Sequence, residues 1–157
     1  MADEQGSALI LVMILMSVLT IIGFSSINTT SIELQIVRNE RIYQDNFYKA
    51  ESAAREGLQF LEEATLDQLN DRNFTTFVWL KQDDSAVDMT DTANWSAANS
   101  STAAVPDADY SVNEKGIAAG GSLDMSATSN LYDYVSRGHG YAQNGKALIE
   151  IGYKKRH

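Results

Sequence analysis

Residues Ala8–Phe24, "ALILVMILMSVLTIIGF", run for seventeen residues without a charge. As a helix, at about 1.5 Å per residue, they cover roughly 26 Å, near the lower limit for a bilayer core. Ser17, Thr20 and Gly23 soften the run but leave it uncharged. A core helix of a globular domain keeps a polar face. This run has none, so it predicts a membrane segment.

The flanks of the run set its type. A secretory signal carries basic residues ahead of its apolar core. Here the first six residues hold Asp3 and Glu4 and no base. Removal at a small-x-small site, Gly23-Phe24-Ser25, stays open on composition. The nearest bases, Arg38 and Arg41, follow the run, which by the positive-inside rule places the bulk of the chain in the cytoplasm.

With 157 residues there is room for one modest domain beside an anchor. The net charge of −9 argues against a nucleic-acid partner, since phosphate recognition needs clustered Lys and Arg. The absence of cysteine removes disulfides, thiolate zinc sites and thiol catalysis. Pro106 is the only proline, so no proline breaks the first hundred residues.

From Ile32 to about Leu69 apolar residues recur at helical spacing. Ile36, Tyr43, Phe47, Ala50, Ala54, Leu58 and Leu61 predict one apolar stripe. Asp45 with Lys49 and Glu51 with Arg55 place acid four residues before base on the other surface. The reading is one long helix, apolar all round in its first half and one-sided in its second. Between the halves, "TIIGFSSINTTS" is poor helix material that a lipid or partner environment holds helical.

Residues 81–130 read as a long, weakly structured connection rich in Ser, Thr, Ala, Asn, Asp and Gly. Strands are predicted at "DADYSVNE" (107–114), "LYDYVSRGHGY" (131–141) and "KALIEIGYKK" (146–155). Asn144-Gly145 predicts a type I′ hairpin turn. The fold class is α+β: a long N-terminal helix packed on a small C-terminal antiparallel β-sheet. The soluble domain spans 28–157, with its helix to about 70, a variable loop at 81–130 and the sheet at 107–155.

No catalytic constellation emerges. His139, in "RGHGY", reads as a solvated turn residue. Asp107, Asp109, Ser111 and Asn113 alternate as a calcium loop does. However, Val112 stands where the tight-turn glycine belongs and Ala118 where the bidentate acid belongs, so strand alternation is the simpler account. Asp83, Asp84, Asp88 and Asp91 read as a solvated loop, the terminal "KKRH" as a solubilising tail, and Trp79 as a cap on the helix–sheet core. No metal, cofactor or enzymatic activity is expected.

"GSALILVMILMSVLTIIGFSSINTTSIE", followed by "AESAAREGL", resembles the N-terminal module of PilX-type minor pilins, type IV pilin-like proteins related to pseudopilins. The resemblance covers roughly Gln5 to Leu61. It implies a leader of residues 1–6 removed by a prepilin peptidase, with Gly6 the last leader residue and Ser7 the N-methylated mature terminus. Residues 7–27 then serve as transmembrane anchor and later as filament core, contacting other minor and major pilins. It implies an inner-membrane protein with a single span and a periplasmic C-terminal domain, later moved to the pilus or cell surface. Two features depart from the pattern. The leader is acidic where such leaders are basic. Leu11 stands at the fifth mature position, where major pilins carry a glutamate that neutralises a neighbour's terminus. Without that carboxylate the resemblance points to a minor, tip-proximal or priming subunit. The alternative classes are a single-span anchored binding domain and a secreted binding domain, neither built into a filament.

Overall fold

The computed structural model describes residues 2–69, 77–82, 87–118 and 130–156. Contacts divide the chain into two compact units, Met1–Arg41 and Ile42–His157. Helix α1 (Ala2–Glu63) contributes to both.

In the first unit α1 continues through the hydroxyl-rich stretch without interruption. The Ser17 and Thr20 hydroxyls donate to the Met13 and Met16 carbonyls at 2.8 and 2.7 Å. Thr29 and Thr30 donate to Ser25 and Ser26 in the same way. Each of these four hydroxyls is thus satisfied by its own helix, as polar side chains on an apolar helix surface require in lipid.

In the second unit the remainder of α1 packs on a mixed sheet. After α1 comes the single turn α2 (Leu66–Leu69), followed by β1 (Leu80–Gln82), a 3-10 turn (Thr92–Asn94), β2 (Ser101–Thr102), β3 (Ala108–Ile117), β4 (Leu131–Gly140) and β5 (Ala147–Arg156). Strands β3, β4 and β5 form an antiparallel meander. β2 runs antiparallel to β3 at Ser101↔Tyr110, and β1 runs parallel to it at Leu80↔Val112. The architecture is α+β, as the patterning predicted. The stretch read as a weakly structured connection carries most of β1, the 3-10 turn and β2, and the strand predicted at 107–114 within it extends as β3 to Ile117.

The helix face that meets the sheet keeps Ala50, Ala54 and Leu61 of the predicted stripe but not Tyr43 and Phe47. Asn46, Ala50, Ala53, Ala54, Gly57 and Leu61 are buried, whereas Tyr43 is 59% exposed and Phe47 39%. The cause is how closely helix and sheet approach. A Cβ on Gly138 would overlap the Ala50 carbonyl oxygen, and one on Gly140 the Asn46 carbonyl oxygen. A Cβ on Gly57 would meet the Ser136 hydroxyl at 2.8 Å. Only small residues fit on either side of such a contact, so the larger apolar side chains turn away. Ser136 Oγ donates to the Ala54 carbonyl at 2.7 Å and joins the two layers.

The core widens toward the C-terminal end of α1. Leu61, Trp79, Leu80, Tyr110, Val112 and Tyr134 are buried there. The Trp79 ring lies 5.0 Å from Phe77 and 5.9 Å from Tyr110, so it caps the helix–sheet core. Lys155 Nζ donates to the carbonyls of Leu61, Glu62 and Ala64, which the end of α1 leaves without helical partners. Thr65 then starts α2, and its N–H donates to Gln68 Oε1 as in a capping box.

The turn before β5 is shifted by one residue from the predicted one. Gln143 and Asn144 have φ of 51° and 64°, and Gly145 N–H closes the turn on the Ala142 carbonyl at 2.9 Å. Gly145 serves a different need: a Cβ there would run into Asn46 Nδ2 and Ile42. Asn46 is the hub of this corner. Its carbonyl oxygen accepts from Ala142 N–H, and its amide donates to the Ala142 carbonyl at 3.0 Å. One buried side chain thus pairs both backbone groups of a loop residue that has no strand partner.

Candidate assembly site

The first unit presents apolar side chains around the whole circumference of α1. Leu9, Ile10, Leu11, Val12, Met13, Ile14, Leu15 and Met16 are all exposed, Leu11 at 65%. The helix is long and apolar enough to cross a membrane, and none of its most apolar window is buried. No charge occurs from Gln5 to Ile32, and Glu33 is the first after the run. Among the described residues of the first unit, no side chain covers this surface, which suits lipid or other subunits. The hollows along Ile22–Leu34 are open flanks of one helix and enclose no ligand.

The residues expected to matter here lie on this helix. Gly6, Ser7 and Leu11 fall within its first turns. A Cβ added at Gly6 meets nothing within 4 Å, so the fold itself makes no demand for glycine at that position. The same holds at Gly23.

Residues 5–55 match the PilX N-terminal family. The chain carries a PilX-type N-terminal module. That match supports a type IV pilin-related role, and the long apolar helix suits membrane anchoring. The match begins one residue before Gly6 and runs through Arg55, taking in the small-residue face at Ala50, Ala53 and Ala54 but not the sheet. No curated protein and no solved structure matches the chain.

The remaining candidate residues fall on the sheet. His139 is the next-to-last residue of β4 and only 5% exposed, so it is not solvated as the flanking glycines suggested. Those glycines face α1, while the imidazole points to the opposite face, 5.0 Å from the Trp95 ring and 5.3 Å from Tyr141. Burial holds its pKa below the usual 6.5; Asp109 pulls it up and Lys146 pushes it down. Neither ring nitrogen has a hydrogen-bond partner among the described residues. It makes an aromatic stack that pins residues 87–100 to the outer face of the sheet, together with Met89, which is fully buried.

Asp109, Ser111 and Asn113 occupy successive outward positions of β3, with Ser111 and Asn113 buried. Strand alternation thus accounts for their spacing. Asp107, just before β3, lies 3.4 Å from Lys49 on α1. Among the described residues, no group of three or more His, Cys, Asp or Glu side chains is placed to hold a metal. Asp88 accepts from the N–H and hydroxyl of Thr90, which lowers its pKa, and Asp91 caps the 3-10 turn. Asp83 and Asp84 lie outside the described residues. The basic C-terminus is not a free tail: Lys154 pairs with Asp133 at 3.6 Å and Lys155 caps α1, both from within β5. His157 lies outside the described residues.

Proposed function

We propose that the chain is a minor type IV pilin or pseudopilin that primes or occupies the tip of an envelope filament and supports its assembly or adhesion. Leu11 carries the reading. Counted from Ser7 it is the fifth residue, and it leaves that position on the anchor surface without a carboxylate. A buried terminal amine without a counter-charge costs several kcal/mol. A subunit that cannot neutralise the amine of the subunit ahead of it belongs where there is no such subunit.

The processing assignment supports this reading. The fold gives no reason for glycine at position 6, so the reason lies with a protein that reads this segment, and the expected reader is a prepilin peptidase. Cleavage between Gly6 and Ser7, with N-methylation of Ser7, leaves the anchor in the inner membrane, the soluble domain in the periplasm, and both later on the pilus. Arg38 and Arg41 run against that orientation on charge alone.

The test is immunogold labelling of sheared filaments. The wild-type protein is expected at few copies near one filament end. Leu11→Glu is expected to reduce filament number or to admit the protein into the shaft. Dense wild-type labelling along the shaft contradicts the tip assignment.

A further inference from the structure

Strand β5 is ten residues long and closes one edge of the sheet. Beyond its ladder with β4, no backbone hydrogen bond of β5 occurs among the described residues. It contains no proline and no bulge, so its outer edge offers a row of backbone donors and acceptors to another strand.

The outward side chains of β5 are Leu148, Glu150, Gly152, Lys154 and Arg156. Acid and base thus stand two residues either side of Gly152. If a second β5 lies antiparallel alongside, centred on Gly152, Glu150 of each copy faces Lys154 of the other. Shifting the centre by one residue puts either Glu150 or Lys154 opposite glycine instead. Centring on Glu150 or Lys154 puts like charges face to face, which destabilises strand pairing.

The pairs already made within each copy extend the pattern. Arg137 holds Glu150, and Asp133 holds Lys154. Across the seam the order becomes Arg137, Glu150, Lys154 and Asp133, alternating in sign over four strands. On the helix side the same register sets Ile151 against Tyr153. At the centre, a Cβ added to Gly152 meets nothing within 4 Å, so a side chain introduced there has room on the outer face.

We propose that β5 is a self-recognition edge through which two copies of this chain join their sheets, antiparallel and centred on Gly152. The contact is isologous and closes at two copies, because the opposite edge of the sheet is formed by different strands. It is independent of the anchor helix and of the tip assignment.

The chain has no cysteine, so single cysteines report the register directly. Gly152→Cys, Glu150→Cys and Lys154→Cys are made in the full-length protein in detergent micelles and oxidised mildly. At the centre, opposed Cα atoms stand about 4.5–5.5 Å apart, within disulfide reach. Like positions at 150 or at 154 stand about 13 Å apart along the strand. Gly152→Cys is expected to give disulfide dimer at least tenfold faster than either of the others alone. Mixing Glu150→Cys with Lys154→Cys is expected to restore the fast rate. Sharing a micelle through the anchor raises all three rates alike and leaves the contrast intact. Equal rates at the three positions, or no dimer from Gly152→Cys, overturns the proposal. So does a Gly152→Cys protein that stays monomeric alone and couples only to a different subunit in envelope membranes.

Discussion

The two halves of α1 are one helix built for two solvents. Residues before Arg41 expose large apolar side chains on every side. Residues from Ile42 to Glu63 bury a narrow strip that is mostly small side chains, alanine, glycine and one asparagine, and that widens to Leu61 at its end. Hydropathy picks out the first half and understates the second. The half that carries the domain's packing is the less apolar of the two, because close approach rather than bulk sets its contact with the sheet. The exposed half needs a medium, and the buried half needs only its own sheet.

The sharpest way to break this comparison is to fill the close contact. Gly138→Val places side-chain atoms where the Ala50 backbone lies and is expected to cost about 3 kcal/mol or more, enough to unfold a marginal domain. Val in place of Gly23, where a Cβ meets nothing, is expected to leave thermal unfolding of the domain unchanged. Circular dichroism melts of both proteins in detergent check the contrast, and equal melts contradict it. Separating the halves is the complementary test. The chain from Asn28 onward is expected to stay in solution without detergent and to keep a mixed helix and strand spectrum, while the full chain needs detergent. An unfolded spectrum contradicts the packing account.

Intermediate effects fall on the polar contacts of the second half. Asn46→Leu strands the N–H of Ala142 in a buried corner and leaves its carbonyl with Gly145 N–H alone, at an expected cost of about 2–3 kcal/mol in urea unfolding. Lys155→Met keeps the stem but removes the donor to three carbonyls at the end of α1, at an expected cost of about 1 kcal/mol.

The smallest effect is pH dependence. Burial depresses the His139 pKa, so the unfolded chain binds its proton more readily than the fold does. The stability His139 contributes is present above its unfolded value of about 6.5 and declines as pH falls through that value. His139→Phe is expected to flatten the unfolding-versus-pH curve between pH 7 and 5. A slope identical to wild type contradicts the assignment.

Much of this was legible in the sequence, for identifiable reasons. The anchor, the long helix and the three-stranded meander follow from charge-free length and from alternation, and the acid–base pairs Asp45–Lys49 and Glu51–Arg55 form as spaced. The buried face of α1 was read correctly at Ala50, Ala54 and Leu61 but not at Ile36, Tyr43 and Phe47, and Asn46, Ala53 and Gly57 were missed because small and polar residues carry little hydropathy. Its signal was the matching pair of small clusters, Ala50, Ala53, Ala54 and Gly57 on the helix and Gly138 and Gly140 on β4. His139 was misread because glycine on both sides suggests a turn, whereas here the glycines admit a helix. β1 escaped notice because three residues pairing in parallel leave no alternation to read. At Gly6, Ser7 and Leu11 only the resemblance assigns roles, since a lone exposed helix makes no demand on any of them.

The central claim is that the apolar half of α1 belongs to the mature protein and begins at Ser7. Intact-mass and N-terminal peptide mass spectrometry of protein from envelope membranes tests it most directly. The account predicts a chain that starts with N-methylated Ser7 and retains the whole run from Ala8 to Phe24. A mature terminus at Met1, at Ala2 or just beyond Ser25 contradicts it.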